Sequence, residues 1–126
     1  MEGALVSGLV LVADDEGAVR ALVATLLARE GFEVLTAEDG REALEALQAQ
    51  DGELVAAVLD VEMPHVSGDE LLRGLRRDGS RLPVILSSGY GDAAGVPDDD
   101  QFVAFLAKPY RMSDLIACLR GLILAA

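Results

Sequence analysis

The chain alternates short, nearly continuous apolar runs with longer stretches of helical period, five times over. That alternation dictates an α/β domain. Strands that follow one another through helical crossovers pair in parallel, and helices then cover both faces of the sheet. Leu9 to Ala13, Leu54 to Leu59, Val84 to Leu86 and Phe102 to Leu106 are apolar almost throughout, as strands buried on both faces must be. The run Phe32 to Ala37 carries Glu33 and Thr36, and its polarity predicts an edge strand.

The intervening segments supply the helices. Val19, Leu22, Val23, Leu26 and Leu27 form one apolar stripe, with Gly31 as the expected C-terminal stop. Asp39 with Glu42 and Ser67 with Glu70 have capping-box spacing, and Leu71, Leu72 and Leu75 are expected to face the sheet. Ser113 is the expected cap of the last helix, whose stripe is Leu115, Ile116, Leu119, Leu122 and Ile123. The segment GDAAGVPDDDQ is poor helix material, so the fourth helix is expected to be short or irregular, around Asp92 to Val96.

At 126 residues, 52% of them hydrophobic, the chain suffices for one domain with a real core. A formal net charge of -12 disfavours nucleic acid and anionic membranes as partners. The apolar start lacks a basic n-region and is too short to span a bilayer. The single cysteine, Cys118, falls among helical apolar residues, where a buried, inert thiol in a reducing cytoplasm is expected.

Ligands of open parallel sheets bind at the carboxyl ends of the strands. Those ends collect Asp14, Asp15 and Glu16, then Asp60, then Ser87 and Ser88, and finally Lys108, the one lysine among ten basic residues. Converging carboxylates repel by about 4 kcal/mol per pair at 4 Å in an effective dielectric near 20, so a cation must offset them. An oxygen-rich cluster suits Mg²⁺, while a hydroxyl and an ammonium complete a pocket for a tetrahedral anion. The layout suits phosphoryl chemistry, with Asp60, at the end of the most apolar strand, as the best placed nucleophile.

Four stretches carry a family resemblance: VLVADDE, VLDVEMPHVSG, LPVILSSGY and FLAKPY. Together they resemble the receiver domain of two-component response regulators, over essentially the whole chain, residues 1–126. The resemblance implies a flavodoxin-like, doubly wound sheet of five parallel strands in the order 2-1-3-4-5. It makes Asp60 the phosphoacceptor and puts Asp15 directly on Mg²⁺, Asp14 largely through water, and the backbone carbonyl of Glu62 beside them. Ser88 becomes the hydroxyl switch, Phe105 the aromatic switch, and Lys108 the contact to a phosphoryl oxygen, before a cis bond to Pro109. The implied donor is a sensor histidine kinase or a histidine phosphotransfer protein.

Phe105 stands where tyrosine is common in this family, and the stretch from Ser88 to Phe105 is shorter than usual, so binding through that stretch, part of the family's usual output face, is not carried over. Glu62 and Tyr90 occupy positions that vary among receivers and lie where attacking water would enter, so both are expected to tune the phosphoryl lifetime. His65 is expected to be exposed, and Asp98 to Asp100 to form a solvated loop. Other readings are an interaction module of receiver type that is not phosphorylated, a flavodoxin-like cofactor binder, and a phosphatase with Asp60 as nucleophile. The phosphatase would require Glu62 as general acid and a substrate cap for which 126 residues leave no room. The cofactor binder would require a first loop rich in Ser, Thr and Gly, where this chain has DDE.

Overall fold

A computed structural model describes residues 7–89 and 99–126. In chain order the elements are β1 (Gly8–Ala13), α1 (Gly17–Arg29), β2 (Phe32–Ala37), α2 (Gly40–Ala49), β3 (Leu54–Asp60), α3 (Gly68–Arg77), β4 (Val84–Ser88), β5 (Val103–Ala107) and α4 (Met112–Ala125). All strand pairs are parallel, in the order β2-β1-β3-β4-β5. The polar second strand is at an edge, as its composition requires. The helix expected around Asp92 to Val96 lies outside the described residues, as does Tyr90.

Side chains alternate across the sheet and so divide the core in two. Leu11, Ala57, Leu59 and Leu86 pack under α2 and α3 with Leu47, Leu71 and Leu72. Val10, Val12, Val58 and Ile85 face the other way, toward Val23 and Leu27 of α1 and Leu115 and Leu119 of α4. Cys118 is half-buried on that second side, and burial pushes its thiol above the ordinary value, which suits an inert packing role.

The capping boxes form with one variation. Ser67 accepts from the Glu70 amide and Glu70 reaches back to the Ser67 amide. Asp39 caps α2 through the Glu42 amide, but Glu42 answers at the amide of Glu38, one residue earlier than in a strict box. Gly31 follows the end of α1 with φ +96°, a conformation that suits glycine.

Three expectations are overturned. Leu22 is 55% exposed, because the buried face of α1 is centred on Val23 and Leu27 and turns Leu22 outward. Ser113 does not cap α4, since the helix begins at Met112 and its N-cap is Arg111, whose carbonyl accepts from Asp114 and Leu115. Asp100 is not a solvated loop residue: its carboxylate lies 2.6 Å from Nε of Arg76 and also accepts from the Phe102 amide. His65 is exposed as expected, with φ +74°, near Arg41 and Asp39.

Candidate functional site

The strands run slightly farther than the apolar runs that announce them. Asp60 is the last residue of β3, and Ser87 and Ser88 end β4 rather than following it. The ladder continues past the formal strand ends, with the Val61 amide donating to Ser87 and the Lys108 amide to Ser88, each at 2.8 Å. These bonds set the Asp60, Ser88 and Lys108 side chains on one edge of the sheet.

The Lys108 ammonium sits among three carboxylates, 3.0 Å from Asp14 Oδ2, 3.2 Å from Asp60 Oδ2 and 3.3 Å from Glu16 Oε1. Burial works to lower its pKa, but the bond to Asp14 and the charges of Asp60 and Asp14 prevail and raise it. Asp60 shifts upward too, to about 7, chiefly through burial and then through the Asp14 charge, with Lys108 only partly compensating. The local charge is therefore short of cations. One oxygen each of Asp14, Asp15 and Asp60 lies within 4.8 Å of the others, with Asp14 and Asp60 buried and Asp15 exposed. That donor set, all hard oxygen and open to solvent on one side, fits a divalent cation such as Mg²⁺.

Neither aspartate of the DDE turn caps α1 with its side chain, since the N-cap is Glu16 and makes no side-chain cap bond. Asp14 instead accepts from the Glu16 amide at 2.9 Å, and its carbonyl accepts from Arg20 at 2.8 Å, which fixes the turn and leaves Asp15 facing outward. Asp60 is held in the same manner by the Glu62 amide at 3.2 Å. Beyond them a cavity of about 430 Å³ is lined by Asp15, Glu16, Asp60, Glu62, Gly89 and Lys108.

Ser88 is buried, and its hydroxyl donates to Glu62 Oε2 at 2.6 Å while the Gly89 amide donates to Glu62 Oε1 at 3.1 Å. Phe105 is half-buried against the α2 and α3 side of the core, paired in register with Leu86. The Lys108–Pro109 peptide bond is cis. Two contacts were not foreseen from the sequence: the Glu16 carboxylate on Lys108 and the Glu62 carboxylate on Ser88. Glu16 stands in the acidic triplet and carried at least that signal, whereas nothing in the local sequence pairs Glu62 with a residue 26 positions away.

Fold and site together define an α/β domain with an acidic, lysine-bridged cluster at the carboxyl edge of a parallel sheet. A family model described as the response regulator receiver domain matches residues 10–120. The chain belongs to that family, the signalling receivers of two-component systems. It is 37% identical over 116 residues to the probable transcriptional regulator ycf27 of Cyanophora paradoxa, covering 90% of this chain and 47% of that one. It is 36% identical over 120 residues to the sensor kinase CckA of Brucella abortus, covering 93% of this chain and 13% of the kinase. The chain thus spans about half the length of the regulator and a small part of the kinase. Among solved structures, the response regulator protein TrrA of Thermotoga maritima in complex with Mg(2+)-BeF superposes with a TM-score of 0.76 at 30% identity, over 91% of this chain and 98% of that one. No helix among the described residues is long and apolar enough to cross a membrane.

Proposed function

We propose that residues 1–126 form one receiver domain that accepts a phosphoryl group on Asp60 from a phosphohistidine of a sensor histidine kinase or a histidine phosphotransfer protein, in the cytoplasm. The observation that carries this reading is the Asp60 carboxylate, buried at the end of β3 between Asp14 and Lys108. A carboxylate oxygen attacks phosphorus, the P–N bond breaks, and its electron pair stays on the imidazole nitrogen, which then takes a proton from solvent. The product is an acyl phosphate on Asp60.

Asp14, Asp15, Asp60 and the Glu62 carbonyl would hold Mg²⁺, which when bound supplies positive charge that offsets the phosphoryl oxygens. Lys108, already 3.2 Å from Asp60, supplies a compact ammonium for one of those oxygens. Ser88 then turns its hydroxyl to another, and Phe105 repacks behind it, which carries the change to the outer surface. Glu62 and Tyr90 tune the lifetime of the phosphoryl group. The phosphatase reading loses support, because the Glu62 carboxylate it would use as a free general acid is engaged by Ser88 and Gly89.

Incubation with Mg²⁺ and a small phosphodonor is expected to add one phosphate that hydroxylamine removes, detected by intact-mass spectrometry, and Asp60→Asn is expected to add none. Equal labelling of the two proteins would defeat the assignment.

A further inference from the structure

Glu62 stands two residues beyond Asp60, and both of its carboxylate oxygens are taken by the end of β4. A serine hydroxyl has one proton to donate. The 2.6 Å separation between Ser88 Oγ and Glu62 Oε2 is in the short range of bonds from a hydroxyl to an ionised oxygen, roughly twice as strong as a neutral pair. A hydroxyl so engaged is not available to a phosphoryl oxygen on Asp60. The second contact, from the Gly89 amide, holds the other carboxylate oxygen beside Ser88. Glu62 is itself anchored to the phosphoacceptor, because its amide donates to Asp60 Oδ1 at 3.2 Å.

We propose that Glu62 is a latch that holds Ser88 in the resting arrangement, so that the phosphorylated arrangement forms only by displacing the Glu62 carboxylate from the hydroxyl. The inference rests on Asp60 being the phosphoacceptor, and it assigns the Glu62 side chain a task separate from any guard over attacking water. A ligand that uses Ser88 in one arrangement only binds more weakly by whatever the competing arrangement gains. The latch therefore sets how much phosphoryl occupancy is needed to switch the domain.

The probe is beryllofluoride with Mg²⁺, titrated into the full chain and followed by NMR. Glu62→Ala is expected to bind it about tenfold more tightly than wild type, equivalent to about 1.4 kcal/mol. Glu62→Gln, which keeps an oxygen acceptor but not the charge, is expected to fall between the two. In a Ser88→Ala background the Glu62→Ala change is expected to do nothing. Identical affinities for wild type and Glu62→Ala would overturn the latch, and so would the same tightening in the Ser88→Ala background, since Glu62 would then be acting as a bare charge. A second readout needs no mimic: hydrogen exchange at the Gly89 amide is expected to quicken in Glu62→Ala, and unchanged exchange would also overturn the latch. If wild type ignores beryllofluoride while the Gly89 amide responds to Glu62→Ala, the phosphoacceptor reading fails and the contact itself stands.

Discussion

Asp60 is a carboxylate held by the fold in surroundings that favour its protonated form. Its pKa rises from 3.8 to about 7. A group raised in this way contributes its full stability below the unfolded value, and the contribution is lost as pH climbs through about 7. Free of metal at about pH 8, the domain therefore carries an ionised carboxylate that works against folding. Asp60→Asn is expected to raise the melting temperature in chelator by roughly 2–5 °C at that pH and to flatten the loss of stability between about pH 4 and 7. Mg²⁺ is expected to stabilise wild type and have much less effect on the variant. Thermal unfolding of both proteins checks this, and a less stable Asn variant would count against a strained carboxylate. Residues of this kind were legible because their chemistry is unusual where they stand: an acidic triplet after one apolar run, a lone lysine before proline after another. The bond between Glu62 and Ser88 was not, because it depends on the register that sets Asp60 opposite Ser87 across β3 and β4.

The loop from β3 to α3 is clamped at both ends by glycines. A Cβ on Gly68 would approach the Asp60 carbonyl oxygen to 2.5 Å, and one on Gly40 would collide with the Val66 carbonyl oxygen. The Gly40 amide donates to the Pro64 carbonyl at 3.1 Å, so the first turn of α2 is seated directly on the segment that follows Asp60. Gly40→Ala has to push that segment away and is expected to cost roughly 3 kcal/mol, the upper end of overpacking penalties. Urea unfolding measures it; a change under about 1 kcal/mol would mean that the loop yields freely. In the sequence Gly40 reads as a weak first residue of a helix, because backbone contact between distant segments leaves no periodic signature. The helices themselves were legible from stripes and caps, and the misses have local causes. Leu22 obeys the i, i+3 rule yet lies at the outer margin of the stripe on α1. Ser113 is two residues too late, because the chain enters α4 through Arg111.

At the scale of the molecule, Arg76 joins the end of the sheet opposite the acidic cluster. Its guanidinium bonds Asp100 and the carbonyls of Ser80, Leu82 and Phe102, tying α3 to the segments that lead into β4 and β5. On the other side of the sheet Arg120 of α4 meets Glu30 at the end of α1, 2.6 Å away. Burial tends to raise the Asp100 pKa, but the bonds from Arg76 and the Phe102 amide outweigh it and hold the carboxyl below 3.8. A depressed carboxyl contributes its stability above the unfolded value and loses it as pH falls through the folded one. Asp100→Asn is therefore expected to cost roughly 1–2 kcal/mol near neutral pH after allowance for solvent screening, and progressively less below about pH 4. Denaturant curves at several pH values test this, and a pH-independent difference would exclude the ion pair as the cause. The parallel sheet was legible from the alternation alone, and its order from the family resemblance. The Arg76 staple was not, because three consecutive aspartates carry no mark of which one is tied down.

The chain has one side-chain amine, and it is enclosed. Lys108 keeps 15% of its side-chain surface and holds its proton among Asp14, Glu16 and Asp60. An ammonium is no nucleophile, so acylating reagents meet no reactive side-chain amine while that enclosure lasts. Acylation at position 108 is therefore expected to be slow and to quicken when the cluster opens, so that its rate becomes a chemical clock for the opening of the site.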